Sequence, residues 1–415
     1  IKHEREKWNI AGYVYTETDI KSQPIQQNLS AEQVAILQQA GDSTALMMAP
    51  SAYLDTYSEN KTLYKKVVLN GYEYYEYSNN PTDSLYMVSF SYVGSGNGNY
   101  RLANSTGIGK IFTFTEPINT IKQGDYEPVV QLIAPSRLTL ATVLGSYKPK
   151  DFTNIDFEAA FSNNDQNLFS PIDDNDNIVY ALHTNATHRI VNNKWKVDVF
   201  GNIQLVSENF KTIERLYNIE FDRDWNVSNT LGNQSLLSIG TKVMPNTSSA
   251  LTYQYSRLSY GTNYIGHKNI LNGHYQLNNF NFNTNMNYLT AKGSVYNTDF
   301  IRSKTQAIYS KNKNWAGTRL DLENYQIKDA VTNQYQNLTQ KYTQIEAFVG
   351  RGDTLKTFIE LGYKYRVNDS LQNNMLTNAA RSHAIYAKTQ LFKTETSDLG
   401  IYANYRRIKY HAINE

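Results

Sequence analysis

The sequence contains no cysteine, which excludes a disulfide framework and a thiol catalyst. Net charge is nearly absent too, +2 from 40 Lys and Arg against 38 Asp and Glu, so there is no basic footprint for nucleic acid. No apolar run approaches the roughly 18–20 residues that a membrane helix requires. Tryptophan is scarce, four residues against 33 tyrosines, and many of those tyrosines end strand-like segments. Mean hydropathy is low, −0.56. None of this excludes an outer-membrane β-barrel, which spreads its apolar residues over every second position and collects aromatics at the membrane boundaries.

The stretch Asn279–Leu289, NFNFNTNMNYL, carries that pattern most openly. Phe280, Phe282, Met286 and Tyr288 share one parity, and Asn281, Asn283, Asn285 and Asn287 fill the other. A strand sends alternate side chains to opposite faces. An amide-lined face is a poor layer for a dry core, because each buried amide needs hydrogen-bond partners. It suits a wet lumen, with the opposite face turned to lipid. The same alternation recurs at Ile155–Phe161, Trp195–Leu205, Tyr217–Val227 and Ile359–Val367. A soluble all-β protein would also alternate, but these strands are long for one.

About fifteen candidate strands follow from residue 136 onward, among them 136–147, 153–163, 177–190, 193–206, 211–228 and 397–412. The fold class expected is therefore all-β: a transmembrane antiparallel barrel of about 16 strands over residues 128–415, preceded by a small, soluble, mostly-β domain over 1–127. Within that domain Trp8–Thr16 reads as a strand and Ser30–Gly41 as a helix. Ser30 and Gln33 form a capping-box pattern, Leu29 and Val34 a staple, and Gly41 a C-cap. Further strand-like segments lie at Leu63–Tyr77, Ser84–Val93 and Gly109–Thr115. The turns Gly96–Tyr100 and Gly124–Pro128 read as tight turns rather than phosphate loops, which would need a flanking strand, helix and usually a lysine.

Connections near 246, 278, 312, 353 and 395 are short, and those near 263, 295, 333 and 374 longer. Short turns face the periplasm in such barrels. This places the start of the first strand and the 1–127 domain in the periplasm. The connection Asn163–Asn177 is the exception, long where a short turn is expected and free to contact the N-terminal domain.

No catalytic, cofactor-binding or metal-binding residue is assigned, and no enzymatic role. His183 and His188 lie five apart on one strand and face opposite sides. Asp173, Asn175 and Asn177 start like a calcium loop, but Ile178 and Thr184 stand where glycine and glutamate belong. The charges expected on the lumen face, Lys194, Lys196, Asp198, Glu220, Asp222, Asp224, Glu360, Lys364 and Arg366, are of both signs, so pairing within the wall is expected.

Gly98-Asn99-Tyr100, the run Gly124–Pro128 leading to Ala134-Pro135, and Phe161–Asp165 followed by Phe169-Ser170 resemble segments of large outer-membrane proteins of Bacteroidota. Abundant Asn, Tyr, Lys and Ile fit that source. The nearest resemblance is to the plug subunit family of the type 9 protein-secretion translocon. It implies a non-enzymatic barrel in the bacterial outer membrane, in contact with lipid, that gates or accompanies a larger translocon. A stand-alone solute channel is the alternative, and a barrel hydrolase a third. Because the chain begins at Ile1, either a signal peptide has been removed or a longer protein is represented. Because the odd count leaves the last strand running outward, at least one further strand is expected beyond Glu415.

Overall fold

The computed structural model describes residues 2–22, 27–105, 107–394 and 396–411. In chain order it comprises β1 (Lys2–Arg5), β2 (Trp8–Thr18), α1 (Ala31–Ala40), β3 (Met48–Pro50), β4 (Tyr53–Leu54), β5 (Leu63–Leu69), β6 (Tyr72–Tyr77), β7 (Leu85–Met87), β8 (Ser91–Tyr92), β9 (Tyr100–Ser105), β10 (Lys110–Phe114), β11 (Tyr126–Glu127) and β12 (Val129–Gln131). The long strands follow: β13 (Arg137–Tyr147), β14 (Thr153–Asp165), β15 (Ile178–Asn192), β16 (Lys196–Val206), β17 (Gln234–Asn246), β18 (Ser249–Tyr260), β19 (Tyr264–Leu277) and β20 (Phe280–Gly293). The series continues with β21 (Tyr296–Lys311), β22 (Asn314–Asp329), β23 (Gln340–Gly352), β24 (Phe358–Gln372), β25 (Met375–Lys393) and β26 (Asp398–Tyr410). A short helix, α2 (Phe221–Trp225), lies between β16 and β17. No described helix is long and apolar enough to cross a membrane.

Two compact units result, one of Ile1–Val14, Ala141–Phe161 and Val179–Glu415, the other of Tyr15–Leu140 and Ser162–Ile178. The first is a single sixteen-stranded sheet in the order β1-β2-β13-β14 and onward to β26 without a crossover. The all-β class and the antiparallel up-and-down order are as expected. The membership of the sheet is not. β1 and β2, expected in a separate N-terminal domain, belong to it, and β2 lies beside β13. The strand expected over 211–228 does not form; that segment is loop and α2. β13, which contains Leu138–Leu144, has β2 and β14 as neighbours, so it does not pair with β26, whose neighbour is β25. Ala412–Glu415, on which the expectation of a further strand turned, lie outside the described residues.

Losing one strand reverses the parity of everything before it. The connections 6–7, 148–152, 193–195, 247–248, 278–279, 312–313 and 353–357 share one end of the sheet and run to two to five residues. The other end carries 166–177, 207–233, 330–339 and the whole of 19–136, together with turns of only two to three residues at 261–263, 294–295 and 373–374, which were expected to be longer. The chain therefore leaves the sheet for the second unit at the end that bears the long connections, opposite to the expectation.

The second unit is built around α1. Its capping box forms as its sequence requires: the Gln33 N–H donates to Ser30 Oγ at 3.2 Å, and the Ser30 N–H donates to Gln33 Oε1 at 3.0 Å. Leu37, Ala40, Met47, Ala49 and Leu132 make one core around it. The connection after β14 closes the helix. Asn167 Nδ2 donates to the carbonyls of Leu37 and Gly41, each at 2.7 Å, and Ser170 Oγ to that of Gln38 at 3.0 Å. These satisfy carbonyls that a helix end leaves without partners, which explains the length of the 163–177 connection. The two glycine runs, expected as separate tight turns, pair with each other instead, and Tyr126–Glu127 within the second is a strand. Gly98 and Gly124 exchange backbone hydrogen bonds at 2.9 and 2.8 Å, and Tyr126 pairs with Tyr100. A Cβ on either glycine would collide with the facing backbone, so close approach of two chains fixes both residues. Around them Tyr64, Phe90, Tyr100, Phe112, Phe114 and Tyr126 stack edge and face, and the Tyr100 hydroxyl accepts the Tyr75 N–H at 2.7 Å.

Candidate functional site

Register fixes the two faces of the large sheet. Across antiparallel neighbours, paired residues point the same way. Asn283 pairs with His274 and Gln306, and Asn285 with Asn272 and Lys304. Gln306 pairs with Arg319, Arg319 with Glu346, and Glu346 with Lys364. These residues define a polar face. The opposite face presents Ile239, Ile345, Val349, Ile359, Leu361 and Ile385, each at least half exposed. Phe280 and Tyr288 stand on the same side, as expected from the NFNFN alternation.

The polar face is internally paired. Arg302 Nη2 lies 2.6 Å from Glu323, and Arg319 Nη1 2.5 Å from Glu346. Lys364 Nζ approaches the other Glu346 oxygen at 3.7 Å. The Tyr386 hydroxyl sits 2.6 Å from Glu346 and 3.1 Å from Glu360, and Trp315 Nε1 donates to Glu360 at 2.9 Å. Glu323 and Glu346 are buried, 5% and 3% exposed; such burial is tolerated only with partners of this kind. Glycines on this face make room for rings: Phe348 lies over Gly317, Trp315 over Gly350 and Tyr386 over Gly362, each across a strand pair. A side chain at any of the three would displace the ring, so the glycines shape the polar face as the charges do.

Of the charges expected here, Lys196, Asp198, Glu360, Lys364 and Arg366 are in strands on this face, and Asp198 pairs with Arg189 at 2.6 Å. Lys194 lies in the turn before β16. Glu220, Asp222 and Asp224 are at α2, not in a strand. His183 faces the polar side, its Nε2 2.8 Å from Asn202 Nδ2, whereas His188 bonds Thr153 on the other. The calcium-like run forms a short turn in which Asn177 Nδ2 donates to Asp174. Among the described residues no group of three or more His, Asp or Glu is placed to hold a metal ion.

The feature the sequence concealed is the segment between β16 and β17. It folds over the polar face. Trp225 is buried with Leu258, Tyr260, Tyr264, Leu289 and Ala291, and Leu289 and Ala291 share the parity of the asparagines on β20. The Tyr264 hydroxyl donates to the Trp225 carbonyl at 2.5 Å, and Asn226 Nδ2 to Thr298 Oγ1 at 2.5 Å. Tyr325 donates to Asn226 Oδ1 at 3.1 Å. Tyr217 stacks on Phe221 with centroids 3.8 Å apart. Asn226, at φ +49°, ends α2 in a left-handed cap in which Asn226 and Val227 N–H groups return to Arg223 and Asp222, a Schellman arrangement. The segment thus anchors on strands β18 to β22.

No protein-family model matches this chain, and no curated protein matches it. Among solved structures, a BenF-like porin from Pseudomonas fluorescens Pf-5 covers 75% of this chain and 91% of its own at 8% identity and a TM-score of 0.29. A likeness that slight carries no functional argument.

Proposed function

We propose that this chain forms the wall of an outer-membrane β-barrel with no catalytic role. One observation carries the reading: the polarity of the sheet is inverted relative to a water-soluble protein. Glu323 and Glu346 are buried and paired with arginines on one face, while Ile, Leu, Val and Tyr side chains are exposed on the other. Exposed apolar surface on this scale marks contact with a membrane or another protein, and strands of 12 to 19 residues from β17 to β26 exceed the roughly 9–11 needed to cross. A lysine at Phe282 or Ile359 should then cost about 2–4 kcal/mol when it faces the bilayer centre. The same change at Asn283, on the wet face, should cost little. Unfolding in lipid or detergent checks this, and equal losses at the three positions would remove the membrane reading.

Both ends carry tight turns, but every connection longer than five residues among the described ones lies at one end, so the other end is the periplasmic one by the rule for such barrels. That puts the 19–136 insertion outside rather than in the periplasm. The chain has no cysteine, so single-cysteine labelling is clean. A membrane-impermeant maleimide on intact cells should react with Ser58→Cys and not with Asn312→Cys. The reverse pattern would restore the periplasmic placement.

The finer role is a plug or accessory subunit of a type 9-like protein-secretion translocon. Support comes from the segment 207–233 lying across the polar face, which suits an occluding subunit better than an open solute channel. The inserted unit is the natural partner-binding element, and it can be excised. The Asp19 N–H donates to the Ser136 carbonyl at 2.9 Å, and the Ser136 N–H to Asp19 Oδ2 at 2.8 Å, so a tight turn can rejoin its ends. Removing 20–135 should leave an inserted barrel that no longer co-purifies a very large outer-membrane partner in mild detergent. Capture undiminished by the deletion, or free conduction by the intact chain in planar bilayers, would sink the plug reading.

A further inference from the structure

The apolar face is not uniform. A groove of about 780 Å3 crosses β21 to β24 on that side. Its floor is made of small residues, Ala307, Ala316 and Ala347, with Gly317 and Gly362 contributing backbone. Phe280 and Tyr309 stand along one side, and Leu361 and Tyr363 along the other. Polar lining is slight, essentially Thr318 and the tyrosine hydroxyls. In water such a trough would be costly to leave open.

Register continues the groove into a cluster of cations. Ala307, Thr318 and Ala347 form one cross-strand row, and Tyr309, Ala316 and Val349 the next. The row after that is Lys311, Asn314 and Arg351. Each row lies about 7 Å beyond the one before on the same face. Lys313 completes the cluster from the turn between β21 and β22, where its carbonyl accepts the Gly352 N–H at 2.8 Å. All three cations are exposed, and none makes an ion pair or side-chain hydrogen bond among the described residues. Asp353, two residues past Arg351, is turned to the Leu355 N–H at 2.9 Å. This contrasts with the other face, where the arginines of β21 and β22 are paired with carboxylates.

We infer that this groove and the Lys311–Lys313–Arg351 cluster form one binding site for an anionic phospholipid. The acyl chains lie along the alanine floor, and the headgroup phosphate meets the three cations at the short-turn end. The inference rests on the membrane reading above. Phosphate is favoured because its several oxygens can accept from two lysines and an arginine at once, and because basic residues beside an apolar membrane surface attract anionic lipid. A groove that served a partner protein would have no need of unpaired cations confined to its membrane-boundary end.

The test uses the full chain, delipidated in detergent and titrated with phosphatidylglycerol or with phosphatidylcholine. Bound lipid is counted by native mass spectrometry. The wild type should retain phosphatidylglycerol with at least about tenfold preference. The triple variant Lys311→Gln, Lys313→Gln, Arg351→Gln should bind the two lipids alike. Ala347→Phe, which fills the floor and leaves the charge intact, should retain less phosphatidylglycerol. Equal retention of both lipids by the wild type overturns the site, as does undiminished preference in the triple variant or undiminished retention in Ala347→Phe. Insertion into phosphatidylcholine vesicles is measured in parallel. Insertion without lipid preference overturns the site alone, while failure to insert overturns the membrane reading and the site together.

Discussion

Replacing Glu346 with alanine should destabilise the sheet by about 3–5 kcal/mol, the loss expected when one member of a buried ion pair is removed. Glu346 is 3% exposed and holds Arg319 at 2.5 Å, Lys364 at 3.7 Å and the Tyr386 hydroxyl at 2.6 Å. Its removal leaves two cations facing each other across β22 to β24 with their shared counter-charge gone. Arg319 and Lys364 retain about a third of their side-chain surface in solvent, and water there relieves part of the repulsion, so the lower end of the range applies. Glu346→Gln keeps the hydrogen-bond acceptor for Tyr386 and should cost less. Adding Arg319→Ala to Glu346→Ala should recover part of the loss, because the unpaired guanidinium is then absent. Reversible unfolding in detergent gives all three values. A loss from Glu346→Ala no larger than from Glu4→Ala, an exposed pair on β1, would show that the network contributes nothing.

Trp225→Ala should free the segment between β16 and β17 from the polar face. Truncating a buried tryptophan costs about 3–5 kcal/mol where the cavity cannot collapse. Here the segment can detach instead, so the global unfolding midpoint should move less than that figure suggests. The local signature is cleavage between 207 and 233 by a protease that leaves the sheet intact. If the segment occludes a lumen, conductance in planar bilayers should rise with it. A variant as protease-resistant as the wild type would show that the polar contacts of Asn226 and Tyr264 suffice without the indole.

The faces of the sheet were legible because their signal is local and repeated. Asn281 to Asn287 against Phe280 to Tyr288 leaves one arrangement that satisfies both sets. The segment at Tyr217 was misread for a definite reason. Tyr217, Phe221 and Trp225 are spaced by four, and four is both a multiple of the strand period and close to one helical turn. The polar residues between them fit either reading; the aromatic i, i+4, i+8 run with Asn226 behind it was the signal for a helix and its cap. Counting a strand there also assigned the inserted unit to the end of the sheet that carries 247–248, 278–279 and 312–313, whereas it leaves from the other. β2 is legible as a strand at Trp8–Thr16, but its place in the large sheet is not, because its partner β13 lies beyond residue 136 and local pattern cannot announce a partner more than a hundred residues away. Gly98 and Gly124 read as turn residues, whereas they bridge each other between strands, a partnership hidden for the same reason. The internal neutralisation of the polar face was foreseeable from its mixed charges, whereas the pairing of each aromatic with a glycine on the next strand depends on register.

The sheet order carries a kinetic consequence. From β13 to β26 each strand pairs with its neighbour in sequence, so that stretch can zip up hairpin by hairpin with little chain entropy to lose at each step. β2 against β13 is different. Closing the connection 19–136 as a flexible loop rather than a two-residue turn costs about 3–4 kcal/mol more. A folded insertion, with Asp19 and Ser136 already hydrogen-bonded to each other, has met that cost in advance. The β1–β2 hairpin should therefore dock last, and its docking rate should follow the stability of a unit that contributes no more than the ends of four strands to the sheet.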